Sequence, residues 1–282
     1  MITADEERYI RSAASVPEHT IGLMTLVSRG EPFLTDDFLS FAKDNWVILV
    51  GYPLSGKFAL EDLSRIIARS LKRHQPEYLW LIAPEVPPAF APACHDRESD
   101  QYYTLALQDF TPRPELRRVL ARAGRDAFLE RGHRVENDHR QVISEFLERE
   151  RPHPRVERLF LSMADYTAVS ASAVVLTARR RGGEVAAFYV VDLEAEKFAT
   201  YVVGCHSKNH YVPGASDLLF AEMVAVAQER RKEYIHLGLG VNQGIRRFKE
   251  KWGGAPSLNY EFCEHRQGQL GRLLSLVTRT WP

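Results

Sequence analysis

The chain has 282 residues, 45% of them hydrophobic and 26% charged, and its 37 basic and 37 acidic residues leave no formal net charge. This balance argues against binding nucleic acid or an anionic membrane through bulk charge, although it is compatible with a local basic groove. The composition is typical of a globular protein with one large or two medium domains. Apolar runs are too short to span a bilayer, and the acidic N-terminus predicts no signal peptide.

The three cysteines, Cys94, Cys205 and Cys263, are far apart and form no C-x-x-C pair. An odd number of isolated cysteines favours reduced thiols, and therefore a cytoplasmic location, over a disulfide framework. No group of cysteines and histidines has the spacing of a zinc site, so we expect no metal.

The first half of the chain predicts strands alternating with helices. Residues 21–27 suit either a strand or a short helix, and the acidic start at 36–42 predicts a helical turn. Buried strands are predicted at 46–52 and 77–83, on either side of a helix at 60–73. That order is a β-α-β unit and implies two parallel strands.

Residues 86–150 predict a further set of elements. They are a loop at 86–100, a strand at 102–110, a basic helix at 113–125, a strand at 127–135 and a helix at 138–149. The arginines of the basic helix suit a phosphate-bearing ligand or, more commonly, a solvated face.

Residues 51–57 read G-x-x-x-x-G-K between a strand and a helix, which is the pattern of a phosphate-binding P-loop. Phe58 stands where the magnesium-binding Ser or Thr belongs, and Pro53 removes one backbone amide from the loop. We therefore expect no nucleotide at this loop.

A polar segment with two prolines, residues 151–154, predicts a joint between domains at 1–152 and 153–282. After a helix at 156–168, strands at 171–178, 185–191 and 198–205 are separated by tight turns. They predict an antiparallel meander. A last strand is predicted at 257–264, and a closing helix at 270–278.

The stretch from Asn209 to Gly254 predicts two helices separated by a strand at 234–239. Pro213-Gly214 breaks the chain, and Ser216 is the predicted N-cap of the first helix. The free amides of its first turn can hold a phosphate or an acyl carbonyl. Most helix starts bind nothing, however, and Asp217 already offsets the helix dipole there.

The second helix, capped by Asn242, has a basic and aromatic sequence. Its inward stripe is predicted to contain Ile245, Phe248 and Trp252. Lys249 borders this stripe and Arg246 lies one turn earlier, so either side chain can reach an anion while its stem stays packed. Arg247 and Lys251 are predicted to point into solvent, and a solvated basic face is the common alternative for the whole set.

Three motifs in this order resemble acyltransferases of the GNAT superfamily, in its FemAB-like branch. They are Tyr211-x-x-Gly214, Leu237-Gly238-x-Gly240 and Phe248-Lys249-x-x-Trp252-Gly253. Two departures stand out. His236 occupies a position where this branch often has an acid. The acetyl-CoA signature Q/R-x-x-G-x-G/A aligns with Tyr211, Gly214 and Ser216, so two of its three fixed positions differ.

The resemblance implies an α/β fold with a mixed sheet, built as two tandem GNAT-like domains as in phosphatidylglycerol lysyltransferases. It implies transfer of an acyl or aminoacyl group from acyl-CoA, such as acetyl-CoA, or from aminoacyl-tRNA to an amine or hydroxyl acceptor. A small molecule, a lipid or a peptidoglycan precursor would be the acceptor, and tRNA would be a partner if it carries the donor.

Such a transfer needs a cleft that aligns the reactants, amides that polarise a carbonyl, and a group that takes a proton. Donor binding is predicted at Val203, Cys205, Gly214 and Ser216. Proton transfer is predicted for His210 or Tyr211, and acceptor binding for Lys249, Arg246 and Asn242. The alternative is a non-catalytic binding protein that keeps the GNAT fold but has lost the donor site.

Overall fold

The computed structural model describes residues 2–267, which form two compact units. The first unit contains the chain up to Gln101 and the chain from Leu258, and the second runs from Tyr102 to Ser257. This division differs from the predicted boundary between residues 152 and 153, which falls inside the second unit. Pro154 is the first residue of a helix, because proline suits the first helical turn, and residues 151–153 connect it to the helix before. The predicted helix at 270–278 lies outside the described residues.

The first unit begins with two helices, α1 (Ala4–Ala13) and α2 (Ile21–Ser28), and its third helix is α3 (Leu60–His74). Its strands are β1 (Glu31–Thr35), β2 (Phe38–Lys43), β3 (Trp46–Val50) and β4 (Tyr78–Ala83). Strands β5 (Cys94–Ala106) and β11 (Ala255–Arg266) have residues in both units. As predicted, β3 and β4 are parallel and are connected through α3.

The predicted helical turn at 36–42 is wrong, because this segment is a hairpin turn followed by β2. Thr35 pairs with Phe38 across the turn, and Asp36 takes a left-handed conformation with φ 52°. Aspartate tolerates this conformation better than most residues, so the acidic pair forms the turn and not a helix start. The open choice at 21–27 resolves to a helix, α2.

The second unit contains β6 (Ala127–Gly132), β7 (Ala173–Arg180), β8 (Val185–Asp192), β9 (Phe198–His206) and β10 (Tyr234–Leu239). Its strand order is β5-β10-β9-β8-β7-β6, in which β7, β8 and β9 form the predicted antiparallel meander. Its helices are α4 (Pro114–Asp126), α5 (Asn137–Glu150), α6 (Pro154–Val169), α7 (Ala215–Glu229) and α8 (Gln243–Lys251).

The core of the second unit lies between α7 and the sheet. Leu219 and Met223 of α7 are fully buried and belong to one apolar cluster with Leu176 of β7, Val191 of β8 and Trp252. Helix α7 packs on strands β7 and β8 and against helix α4. These contacts fix where α7 begins, and that position matters for the site described below.

A disulfide joins Cys94 and Cys263 within the first unit, across 169 residues of sequence. The prediction of reduced thiols is therefore wrong for this pair, while Cys205 is free and buried. The spacing of the cysteines does not reveal the pair, because the two residues meet only through the sheet: β11 places Cys263 next to β4 and beside the start of β5. The cytoplasmic prediction rested on reduced thiols and loses that support, since disulfides persist mainly in oxidising compartments.

No helix within residues 2–267 is long and apolar enough to cross a bilayer. Over the same residues, no group of three or more histidine, cysteine, aspartate or glutamate side chains is placed to hold a metal ion.

Candidate functional site

Strands β9 and β10 are parallel for three registered pairs and then separate. The last pair is Thr200 with His236. Beyond it, β9 continues along β8 to His206, and β10 continues along β5 to Leu239. From Tyr201 onward, the described part of the chain places no strand partner on the β10 side of β9. The backbone groups of β9 on that side are thus outside the sheet ladder, and a ligand can use them.

An irregularity in β9 accompanies the separation. Its register with β8 changes from Val190–Val203 to Val191–Tyr201, which leaves Val202 as an extra residue. A bulge of this kind bends a strand and increases its twist. The predicted donor residues Val203 and Cys205 lie on this bent part, and both residues are buried. Their side chains are therefore closed to a donor, and any contact has to use their backbone on the side where β10 leaves β9.

Helix α7 begins at Ala215, and its N-cap is Gly214 in a left-handed conformation with φ 83°. The predicted N-cap Ser216 is therefore wrong, because that residue lies inside the first turn. Glycine is required at position 214, since a Cβ there would lie 3.0 Å from Cβ of Ala123 on α4. A glycine cap supplies no side-chain acceptor, so the first amides of α7 have no capping side chain.

Asp217 is buried in the first turn of α7, and its Oδ1 accepts hydrogen bonds from two side chains at the end of α8. They are Lys251 Nζ at 2.6 Å and Trp252 Nε1 at 2.9 Å. Lys251 is exposed, as the sequence predicts, but its ammonium group also forms an ion pair with Asp217. Because these donors compensate the Asp217 carboxylate, it offsets less of the positive end of the α7 dipole.

Two tyrosines near the start of α7 were missed by the sequence analysis, Tyr189 on β8 and Tyr201 on β9. The Tyr189 hydroxyl donates to the Ser216 carbonyl at 3.0 Å, and the rings of Tyr189 and Tyr201 meet edge to face at 4.8 Å. A Cβ on Gly204 would lie 2.1 Å from the Tyr201 hydroxyl oxygen. Burial raises the pKa of both tyrosines, so they stay protonated. A glycine inside a strand signals such a close approach, and Gly204 was the clue in the sequence.

The predicted catalytic pair, His210 and Tyr211, lies on the loop between β9 and α7. The His210 N–H donates to Ser207 Oγ at 3.0 Å, and its ring Nδ1 is buried with no hydrogen-bond partner in residues 2–267. Tyr211 is 59% exposed, and its ring centre lies 5.8 Å from that of His206. The structure therefore places both residues on the loop that joins β9 to the start of α7.

Lys249 lies deeper than its predicted border position, with only 4% of the residue exposed. Its Nζ donates to the Leu239 carbonyl at 2.5 Å and lies 5.6 Å from the centre of the Tyr103 ring. Ile245, predicted to face inward, is 37% exposed. Helix α8 has nine residues, and its first turn is exposed, so the buried side begins only at Phe248.

The other two predicted acceptor-binding residues, Asn242 and Arg246, are exposed at the start of α8. Asn242 is the N-cap as predicted, since its Oδ1 accepts from the Ile245 N–H at 3.0 Å. All three acceptor-side predictions thus lie on or just before α8, whereas the donor-side predictions lie on β9 and α7.

His236, at the last β9–β10 pair, is fully buried. Its Nδ1 accepts from the Gly238 N–H at 3.3 Å, which leaves Nε2 as the protonated nitrogen. Burial, with the nearby charge of Lys249, lowers the pKa of His236 to about 3. The histidine is therefore neutral near pH 7 and cannot replace the negative charge of the acid that the FemAB-like branch often has here.

Comparison with solved structures identifies the fold. The C-terminal domain of a putative lysylphosphatidylglycerol synthetase from Agrobacterium fabrum matches with a TM-score of 0.57 and 16% identity, over 96% of both chains. FemX matches with a TM-score of 0.63 and 10% identity, over 98% of both chains. A tandem GNAT protein from the clavulanic acid biosynthesis pathway matches with a TM-score of 0.54 and 13% identity, over 94% of this chain and 96% of that chain.

The chain has the tandem GNAT fold of FemAB-like proteins. The fold predicted from the three motifs is thereby confirmed. No protein-family model and no curated protein sequence matches the chain. At these low identities the structural similarity shows the fold alone, and the reaction has to be inferred from the site itself.

Proposed function

We propose that the second unit transfers an acyl or aminoacyl group from an activated donor to an amine or hydroxyl acceptor. The observation that supports this is the separation of β9 from β10 beside a helix start that has no capping side chain. Unused backbone groups along β9 can hydrogen-bond the donor, and an N–H among them can polarise its carbonyl. The Ser216 and Asp217 amides in the first turn of α7 can bind a phosphate, whereas the Ala215 N–H already donates to the Val212 carbonyl at 3.1 Å.

Both acyl-CoA and aminoacyl-tRNA fit this arrangement, because each carries phosphate groups and an activated carbonyl. The glycine cap at Gly214 and the compensated carboxylate of Asp217 leave the start of α7 suited to an anion. The bound donor would supply the activated carbonyl. The residues of this chain would bind and orient it, with the backbone of Val203 and Cys205 on one side and Gly214 and Ser216 at the helix start.

On the acceptor side, His210 or Tyr211 would take the proton that the attacking amine or hydroxyl loses. Lys249, with Arg246 and Asn242, would bind an anionic group of the acceptor. A buried ammonium such as that of Lys249 carries a desolvation cost, and an anionic ligand would reduce it. A putative lysylphosphatidylglycerol synthetase and FemX share the fold, which makes a lipid or a peptidoglycan precursor a reasonable acceptor to test beside small amines.

The test is donor binding by a protein whose helix start carries an added charge. Ser216→Glu places a carboxylate among the first amides of α7, where it repels phosphate but favours the helix dipole. We expect calorimetry with acetyl-CoA, longer acyl-CoAs and aminoacyl-tRNA to show binding by the wild type. Affinity should fall at least about tenfold in Ser216→Glu, which corresponds to about 1.4 kcal/mol. Its melting temperature should not fall.

The matched control is Gln228→Glu, which adds the same charge near the other end of α7, at an exposed position. It should leave donor affinity unchanged. Absence of binding to every donor, or equal affinity of the two variants, would contradict the proposal.

A second candidate is a binding protein of the same fold without turnover. The observation that favours it is the filled space beside Gly204, where the Tyr201 hydroxyl and the Tyr189 ring lie against β9. Product formation separates the candidates, since a binding protein would show donor affinity in calorimetry and no transfer to any acceptor.

A further inference from the structure

We propose that Glu145 is a positioning residue, which holds the loop between β9 and α7 from helix α5 and so fixes His210 and Tyr211. The inference rests on the proposed function, because those two residues matter only if the loop takes part in transfer. Glu145 itself lies on a different element and need not touch either substrate.

The carboxylate of Glu145 accepts three hydrogen bonds from three consecutive loop residues. Its Oε2 accepts from Ser207 Oγ at 2.9 Å and from the Lys208 N–H at 2.8 Å. Its Oε1 accepts from Asn209 Nδ2 at 3.0 Å. Both oxygens are therefore engaged, and hydrogen bonds to an ionised group are stronger than those between neutral groups.

Ser207 connects the carboxylate of Glu145 to the backbone of His210. It is fully buried, and its backbone N–H donates to the Ala186 carbonyl of β8 at 2.9 Å. Its hydroxyl donates to Glu145 and accepts the N–H groups of Asn209 at 3.1 Å and His210 at 3.0 Å. One donor and two acceptor positions are all that a hydroxyl has, so Ser207 has no capacity left.

The charge of Glu145 is maintained in this setting. Partial burial raises the pKa of its carboxyl, but hydrogen bonds from the Lys208 N–H, the Ser207 hydroxyl and Asn209 outweigh burial, and the pKa is lowered overall. The carboxylate is thus ionised near pH 7.

The loop needs such an anchor because it has little regular structure of its own. Strand β9 ends at His206 and α7 begins at Ala215. Connecting segments are the more mobile parts of a fold, whereas small displacements of reacting groups cost large factors in rate. A charged anchor on a neighbouring helix limits that motion.

The experiment compares Glu145→Gln with Glu148→Gln, an exposed change on the same helix. The amide of Glu145→Gln keeps one acceptor oxygen but carries no charge, so the hydrogen bonds from the loop become weaker. We expect hydrogen exchange at the amides of Lys208 and His210 to be at least about tenfold faster in Glu145→Gln only. We expect kcat to fall by at least about tenfold while KM for the donor is unchanged, because β9 and α7 are intact.

A compensating change tests whether geometry is the cause. Adding Asn209→Asp to Glu145→Gln restores the total charge and allows the introduced amide to donate to the introduced carboxylate. Slow exchange and most of kcat should return together. Exchange equal in Glu145→Gln and Glu148→Gln would overturn the anchor, and fast exchange with unchanged kcat would overturn its role in transfer. A wild type that turns over no donor would overturn the proposed function alone, since exchange reports on the loop without turnover.

Discussion

At the scale of single residues, the last pair of β9 and β10 joins two buried polar side chains. Thr200 Oγ1 and His236 Nε2 both lack a hydrogen-bond partner within residues 2–267. A buried polar atom left in this way costs about 1–3 kcal/mol. Aromatic packing offsets part of the cost, because the His236 ring lies 4.8 Å from that of Tyr102 and 5.7 Å from that of Phe198.

The buried His236 predicts a loss of stability in mild acid. Above the ordinary histidine pKa of 6.5, the imidazole is neutral in both the folded and the unfolded chain. Below it, the unfolded chain binds a proton, whereas the folded chain does so only near its lowered pKa of about 3. The free energy of unfolding therefore falls by up to about 1.4 kcal/mol per pH unit in this window. Urea unfolding at pH 7 and pH 5 should show a loss about 2 kcal/mol smaller in His236→Leu than in the wild type.

His19 of the first unit, whose pKa burial lowers to about 4, titrates in both proteins and cancels in this comparison. An equal loss in wild type and variant would show that His236 is already protonated in the folded protein at pH 5.

Sequence periodicity predicted some side chains of α8 correctly and others not. Phe248 and Trp252 pack inward as expected, with Trp252 stacked on Phe220 at 4.6 Å. The depth of Lys249 could not be read from spacing, because it depends on the Leu239 carbonyl of another element. For the same reason, a change at Lys249 would disturb folding as well as any ligand.

At the scale of elements, the regular strands and helices of the meander and of the β3-α3-β4 unit were predictable from local pattern. The geometry of the candidate site was less predictable from local pattern. The separation of β9 and β10, the bulge at Val202 and the glycine cap of α7 all arise from pairing and packing between distant segments. The residue types along the chain indicate these features only indirectly, through glycines such as Gly204 and Gly214 where other groups approach closely.

The loop between β3 and α3 illustrates why a sequence pattern needs its structural context. Helix α3 begins at Leu60, three positions after Lys57, whereas a P-loop passes directly into its helix. Ser55 Oγ donates to the carboxylate of Asp37 at 2.6 Å, which brings a negative charge to the loop. Both features disfavour a nucleotide.

We therefore expect calorimetry with ATP or GTP and Mg²⁺ to show no binding. Lys57→Ala should leave the titration unchanged. Micromolar affinity that disappears in Lys57→Ala would refute this expectation.

At the scale of the whole molecule, the disulfide closes a long loop. Cys94 and Cys263 lie 169 positions apart, and Cys263 is fully buried. Crosslinking residues so distant restricts the unfolded chain strongly, and loss of such a bond typically costs about 2–5 kcal/mol. No local signal marks the pair, since it forms only once β11 has joined the first unit.

A thiol count checks this pair. The unreduced, denatured chain should react with one equivalent of thiol reagent, from Cys205, and the reduced chain with three. Reduction should lower the melting temperature, and Cys94→Ser should have the same effect without reductant. Three reactive thiols in the unreduced chain would show that the bond does not form.

The discontinuous first unit also has a consequence for synthesis. A ribosome makes the chain from the N-terminus, and domains generally fold as units while they emerge. The second unit is continuous from Tyr102 to Ser257, so all of its residues are made before the second segment of the first unit, which begins at Leu258. The first unit starts to emerge earlier but lacks β11 until the chain from Leu258 has been made. The part of the protein that is translated first is therefore the last to be finished, and a nascent chain must keep the unpaired edge of β4 from aggregating in the meantime.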